Sequence, residues 1–322
     1  MWAVVGLGTC VLLGVLAQAV CARRDRRRLT PVGRLAGGLH VVQAGAAGPV
    51  VVFEAGLAAT SLNWCLVQSA LSSAARTCSY DRAGLGWSVP GSADRSLRRW
   101  TDDLHRLIQA LDLPRPLILA GHSFGSYIVR VYASRFPDDV AALVLLDPVV
   151  PGQFSPLTRR ARVRLWRAAF FTDITRACAV VGLVRLGLWG LLRRGGGNPG
   201  PLLGLSATCR RIASELAKLP PDILPAVRAH WSEPRFFREL AASIRAMPSC
   251  AAEAARHPIP SGIPVVVFSG GHQSAASLAA HAAMATRHIV VEGSAHWIHL
   301  DRPELVADAI LGIAGAERPR PT

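Results

Sequence analysis

The chain opens with an apolar run from Met1 to Cys21, interrupted only by Thr9 and Gln18, that ends against Arg23-Arg24-Asp25-Arg26-Arg27-Arg28. Roughly 20 apolar residues suffice to span a bilayer as a helix. Residues 1–28 are therefore read as an amino-terminal transmembrane anchor with a basic flank. The alternative is a secretory signal cut near Ala17–Ala22, but a signal carries its positive charge ahead of the apolar core, and here the charge follows it. The positive-inside rule then places the rest of the chain in the cytoplasm; a cleaved signal would instead make the protein secreted.

Beyond residue 32 the pattern alternates. Leu39–Val42, Val50–Glu54 and Arg76–Tyr80 predict strands. Leu97–Leu111 carries apolar residues at helical spacing, with charges between them. Pro116–Ala120 is a short apolar strand, followed by a tight turn and a helix over Phe124–Phe136. Ala141–Leu146 is a nearly continuous apolar run, the pattern of a parallel strand buried on both faces. The rhythm breaks over 151–261 and returns with a strand at Ile263–Phe268, a helix at Ala275–Thr286, a strand at Ile289–Val291 and a closing helix at Pro303–Ile313. The Pro- and Arg-rich tail Glu317–Thr322 is expected to fray. This is an α/β pattern: a mostly parallel central sheet with helices on both faces, formed by 32–150 and 262–316, and an inserted helical cap at 151–261.

Charge and composition sharpen this picture. The 322 residues carry a net charge of +15, nearly all of it from arginine, since Lys218 is the only lysine. Such a charge suits an anionic membrane surface or acidic substrates. Nucleic acid is not expected as a partner, because no aromatic-interleaved basic strand set or reader motif is present. The 7 cysteines are odd in number, scattered and without C-x-x-C, which argues against a disulfide framework and against zinc. Gly270-Gly271 and Gly195–Gly197 lack the flanking pattern of a phosphate loop, so no nucleotide, metal or other cofactor is expected.

In the inserted segment Arg159, Arg160, Arg162, Arg164 and Arg167 surround Leu165, Trp166, Phe170 and Phe171. Ala177–Leu192 is apolar apart from Arg185, short for a span, and an arginine there is costly in lipid. Two readings stay open: a helix lying on anionic lipid, or a lid packed on the core with a solvated basic face. Trp231, Phe236 and Phe237 belong to core packing or to a substrate wall.

The chemistry concentrates in Gly121-His122-Ser123-Phe124-Gly125. This G-x-S-x-G sits between an apolar strand and a helix, the setting of a nucleophile elbow. There a strained turn lifts the serine hydroxyl above the sheet edge, and small neighbours avoid clashes at the bend. The helix presents its amino end to the site, which favours developing negative charge. The bland alternative is an ordinary glycine-rich turn.

Together with Tyr80-Asp81-Arg82-Ala83-Gly84-Leu85-Gly86 upstream and Ser294-Ala295-His296 downstream, this motif resembles the α/β-hydrolase superfamily. The resemblance covers roughly 32–150 and 262–315. It implies the α/β-hydrolase fold and a chain order of Ser, acid, His. Ser123 then takes the nucleophile's position and His296 the base's, with His299 as competitor. The backbone amides of Leu57 and Phe124 take the positions of the oxyanion hole, while Asp81 and Arg82 brace their loop. The family's usual acid loop reads Ser269-Gly270-Gly271-His272-Gln273-Ser274 here and holds no carboxylate. The family's other placement, after the strand that follows the elbow helix, points to Asp147; Glu292 and Asp301 stand outside. A Ser–His dyad helped by His272 or Gln273 is a further option.

A serine nucleophile speaks against dehalogenase and epoxide hydrolase chemistry, whose members resembling this family carry Asp there. Ester, thioester, amide and carbon–carbon hydrolysis stay open. The expected function is a serine hydrolase acting on a small-molecule or lipid-like ester at a membrane, and no feature calls for an obligate protein partner. The rivals are a non-catalytic hydrolase-fold binding protein and a membrane-surface structural protein using the basic cap.

Overall fold

The computed structural model describes residues 2–29, 32–193 and 217–316. Gly195–Gly197 and the tail Glu317–Thr322 lie outside the described residues. In chain order the elements begin with α1 (Trp2–Arg28), β1 (Arg34–Ala36), β2 (Leu39–Ala44), β3 (Val50–Glu54), α2 (Cys65–Leu71), β4 (Arg76–Tyr80), α3 (Leu97–Ala110), β5 (Leu117–His122), α4 (Gly125–Arg135) and β6 (Val140–Leu146). Then come α5 (Arg159–Val180), α6 (Leu183–Arg193), α7 (Leu224–Trp231), α8 (Pro234–Ala255), β7 (Val265–Gly270), α9 (Ala275–Ala283), β8 (Arg287–Val291), α10 (Ile298–Asp301) and α11 (Pro303–Ala316).

The strands form one 8-stranded sheet in the order β1-β2-β4-β3-β5-β6-β7-β8. β1 and β2 pair antiparallel, as do β2 and β4; from β4 to β8 the pairing is parallel. The apolar runs explain this. With a side-chain period of two, a continuous run feeds both faces of a sheet. Val52, Leu119, Leu145 and Val267 join one buried cluster with α3 and α4. Val51, Phe53, Leu146 and Phe268 join the other with α2 and α11. The register aligns the carboxyl ends of the parallel strands: Glu54 lies opposite Gly121, His122 opposite Leu146, and Leu146 opposite Phe268. The loops that leave these ends share one edge of the sheet, where ligands bind in open α/β folds.

β7 begins at Val265, not Ile263, and runs on to Gly270. The shift follows from Pro264, which has no N–H for the ladder yet still accepts from Leu143 N through its carbonyl at 2.9 Å.

The chain divides into two compact units: Gly33–Arg162 with Arg245–Thr322, which holds the sheet, and Met1–Val32 with Val163–Ile244, which is helical. Within the helical unit the transmembrane anchor expected over Met1–Cys21 is not supported. Among the described residues no helix is long and apolar enough to cross a membrane. The polar interruptions of the two apolar runs instead find each other. Gln18 is buried, and its Nε2 donates to the Ser232 carbonyl at 2.9 Å. Its Oε1 accepts from Arg185 Nε at 2.8 Å, and Arg185 also pairs with Asp25. Arg26 pairs with Glu233 at 3.1 Å. Gly14 lets α1 approach the bend after α5 closely, since a Cβ there would stand 2.7 Å from the Val181 carbonyl oxygen.

Candidate active site

Ser123 follows β5 directly and adopts φ +51, a left-handed conformation uncommon for a residue with a side chain. Its amide donates to the Leu146 carbonyl at 2.9 Å, which ties the turn to β6. The flanking glycines are sterically required. A Cβ on Gly121 would lie 2.8 Å from Val129 Cγ2, and one on Gly125 would lie 2.5 Å from the Glu54 carbonyl oxygen and 2.7 Å from that of Ala55. The helix after the turn can pack this closely against β3 only without those side chains. Phe124 is the residue before α4, so its N–H belongs to the unpaired amides of a helix start.

The loop after β3 crosses the elbow. A Cβ on Gly56 would stand 3.6 Å from Ser123 Cβ and 2.8 Å from His122 Nδ1. Among the described residues neither the Leu57 nor the Phe124 N–H has an acceptor. Two such amides on either side of a serine are suited to an oxyanion.

The loop is held from below. Arg82 donates to the Ala55 carbonyl at 2.6 Å, to the Gly56 carbonyl and to Glu54, whose other oxygen accepts from the Tyr80 hydroxyl. Burial drives the Glu54 pKa up, and the Arg82 charge opposes it. Asp81 accepts the amides of Ser61 at 2.8 Å and Trp87 at 3.0 Å and lies 3.1 Å from His40 Nδ1. Burial pushes its pKa up, but the His40 and amide hydrogen bonds outweigh it and hold the carboxyl below its ordinary value. Asp81 and Arg82 thus brace loops; neither offers an atom to Ser123.

Asp147 follows β6 with φ +45, its amide donating to the Phe268 carbonyl at 2.7 Å. One carboxylate oxygen accepts from the Gly270 amide at 3.3 Å and from Gln273 Nε2 at 2.7 Å. The other accepts from His296 Nδ1 at 2.5 Å. Burial pushes the Asp147 pKa up; the hydrogen bonds from His296, Gln273 and Gly270 overcome it, so the carboxyl sits below its ordinary range and stays ionised. The loop that lacks a carboxylate therefore still participates, by supplying donors to a carboxylate from the neighbouring strand. That Gln273 would orient the acid was legible in the sequence only as a vague helper role.

His296 lies in the loop between β8 and α10. Asp301 shapes that loop by accepting Ser294 Oγ at 2.7 Å and the Ala295 amide at 2.9 Å. His122 Nε2 donates to the His296 carbonyl at 2.9 Å, and the two rings lie 4.7 Å apart. His299, the competing histidine, is turned into the core against Trp64, with ring centroids 4.7 Å apart. The structure thus brings Asp147 and His296 together, while the buried His299 packs between Trp64 and His122. Among the described residues no hydrogen bond joins Ser123 Oγ to His296. Such contacts often tighten only around a substrate.

Among the described residues, Asp147, His272 and His296 form the group that could gather a cation, with ligand atoms within 4.8 Å of one another. The 2.5 Å between His296 Nδ1 and Asp147 Oδ2 is the distance of a direct hydrogen bond. Two ligands on one zinc ion would stand roughly 3.3 Å apart.

A parallel sheet bearing an elbow serine, two free amides and an Asp–His pair at its carboxyl edge defines a hydrolase-type architecture. A family model described as the alpha/beta hydrolase fold matches residues 49–183, and over that stretch the chain resembles the α/β-hydrolases. The uncharacterized protein YqjL of Bacillus subtilis is 32% identical over 106 residues, 33% of this chain and 42% of that protein. The 2-hydroxy-6-oxo-2,4-heptadienoate hydrolase of Pseudomonas putida is 35% identical over 125 residues, 37% of this chain and 45% of that protein. These alignments span less than half of either relative. A laboratory-evolved variant of potato epoxide hydrolase superposes with a TM-score of 0.65 at 19% identity, over 88% of this chain and 98% of its own; this likeness concerns the fold alone.

Proposed function

We propose that the protein is a serine hydrolase that cleaves a carboxylic ester or related acyl bond through Ser123, His296 and Asp147, on a hydrophobic or lipid-like substrate. The observation that carries this reading is the hydrogen bond from His296 Nδ1 to the buried, ionised Asp147. It fixes the tautomer that leaves Nε2 as the proton acceptor.

In the first step the Ser123 proton passes to His296 Nε2 as its oxygen bonds to the acyl carbon. The carbonyl becomes an oxyanion facing the Leu57 and Phe124 amides. Collapse breaks the bond to the leaving group, which takes the proton from His296. A water then gives its proton to His296, attacks the acyl–serine ester and releases the acid, and the proton returns to Ser123. Asp147 stabilises the imidazolium at both stages. A serine at the elbow favours acyl transfer over epoxide opening, so the likeness to an epoxide hydrolase adds nothing about substrate.

The test is labelling with a fluorophosphonate probe, comparing the unaltered protein with Ser123→Ala and His296→Ala, followed by turnover of nitrophenyl esters of increasing acyl length. Labelling that vanishes in both variants, with turnover rising with acyl length, supports the reading. A folded protein that neither labels nor turns over any ester would point instead to a hydrolase-fold binding protein.

A further inference from the structure

We propose that the outer stripe of α5 docks on an anionic lipid surface, seating the helical unit at a membrane without crossing it. One side of this helix is buried through small residues, with Ala169 2% exposed. Val163, Trp166, Phe170 and Ile174 follow one another at spacings of three and four along the other side, with Phe171 beside them, and all five are exposed. Trp166 is 64% exposed and Phe171 55%. The Trp166 and Phe170 rings stack at 5.4 Å, and Phe170 meets Phe171 edge-on at 5.8 Å, so the aromatic side chains form one continuous patch.

A protein that stays in water rarely leaves such a patch open. The same unit repeats the feature. Leu183, Leu186 and Trp189 are exposed along α6, and Leu12, Leu16 and Val20 along α1. All but Leu35, Val89, Val290 and Leu305 of the large exposed hydrophobic side chains described lie in this unit.

Charge identifies the occupant. The charged side chains of α5 are Arg159, Arg160, Arg162, Arg164, Arg167 and Arg176, with Asp173 as its single acid. Arg162 and Arg167, both exposed, flank the Trp166 stripe on its two sides at helical spacing. A protein partner would be matched by mixed charges and acceptors. A stripe of Trp and Phe flanked by arginine suits the headgroup boundary of an anionic leaflet, where the rings enter the acyl edge and the guanidinium groups stay with phosphate. The Gln18–Arg185–Asp25 contacts are consistent with this, because they keep α1 and α6 packed on each other through polar groups and favour lying on the membrane over spanning it. The proposal stands apart from the hydrolase reading, since binding is scored without turnover.

The experiment floats the full chain with vesicles of phosphatidylcholine alone, or of phosphatidylcholine with an equal amount of phosphatidylglycerol. The expected result is flotation with the anionic vesicles, weakened about tenfold or more without phosphatidylglycerol or at high salt. The variant Trp166→Ser/Phe170→Ser/Phe171→Ser should lose a similar factor while keeping its Tm, because these side chains pack little in the fold. Vesicles with brominated acyl chains should quench tryptophan fluorescence, and less so in Trp166→Phe. The proposal is overturned if the unaltered chain does not float with anionic vesicles. It is equally overturned if the triple variant floats as well as the unaltered chain, or if the chain self-associates in solution and the triple variant abolishes that in place of vesicle binding.

Discussion

Asp147 Oδ2 accepts the Nδ1 proton of His296 at 2.5 Å, and its side chain is shut off from water. One oxygen of this buried carboxylate meets the imidazole, and the other meets the Gly270 amide and Gln273 Nε2. Under the proposed function Asp147→Asn should lower kcat by about 10³- to 10⁴-fold, because the amide stabilises the wrong tautomer and no imidazolium. KM and the fold should change little, since the amide oxygen can still accept from Gly270 and Gln273. Asp301→Asn weakens the loop contacts to Ser294 and Ala295 and should cost less than about tenfold. Glu292→Gln should be neutral. Steady-state kinetics on the three variants decides the assignment; an inactive Glu292→Gln beside an active Asp147→Asn would reverse it.

Arg82 acts through the loop it holds. Its guanidinium grips the Ala55 and Gly56 carbonyls and so sets the direction of the Leu57 N–H. A lysine keeps the charge beside Glu54 but cannot span both carbonyls with one planar fork. Arg82→Lys should lower kcat about tenfold to a hundredfold with a smaller change in KM. Arg82→Met strands Glu54 in the core and should cost about 3–5 kcal/mol of stability. Adding Glu54→Gln to Arg82→Met should restore part of that loss. Thermal denaturation of the single and double variants measures the recovery; equal Tm values would mean that Glu54 is not the group Arg82 neutralises.

Much of this was legible in the sequence, for identifiable reasons. Runs such as Val50–Phe53 and Ala141–Leu146 carry a two-faced burial pattern in their composition, so the parallel strands could be read without a fold in hand. Gly121, Ser123 and Gly125 could be read because their spacing follows from local sterics. The role of Gln273 could not, because it depends on the β6–β7 register that sets the loop against Asp147. Nor could the pairing of Gln18 with Arg185, 167 positions apart. Each looked like a flaw in an apolar run, and an apolar run with one polar residue reads as a membrane span until its partner is known. Strand β1 escaped because Arg34-Leu35-Ala36 is short and lies at the sheet edge, with two of its three residues exposed.

The elbow stores strain that substitution can release. Ser123 is held at φ +51, where a Cβ is unfavourable and glycine is not. Ser123→Gly should abolish turnover yet raise stability by about 1 kcal/mol relative to Ser123→Ala, which keeps the Cβ. Gly125→Ala should do the opposite. Its Cβ would have to displace the Glu54 and Ala55 carbonyls, both backbone atoms at 2.5 and 2.7 Å, so both stability and activity should fall. Calorimetry on the three variants checks the order; Ser123→Gly no more stable than Ser123→Ala would show that the turn is relaxed.

The pH dependence of stability should show two onsets, one from histidines and one from carboxylates. Burial, then the neighbouring His299 and His296, hold His122 well below the ordinary histidine value. Burial likewise lowers His281, which donates through Nε2 to the Pro148 carbonyl at 2.8 Å while its Nδ1 meets Ser269 Oγ at 2.7 Å. A histidine whose folded pKa lies below its unfolded one binds fewer protons when folded. Its contribution is complete above the unfolded value of about 6.5 and declines as pH falls through the folded one. Asp147 and Asp81 are also lowered, but from the carboxylate range, so their contribution is complete above about pH 4 and fails only below it. Tm should therefore begin to decline as pH falls below about 6.5, from the histidines, and the carboxylates add their loss below about pH 4. His281→Gln, which can keep a donor to Pro148, should flatten the first decline and leave the second. A first decline of unchanged size in that variant would assign it to other histidines, with His122→Asn as the next variant to measure.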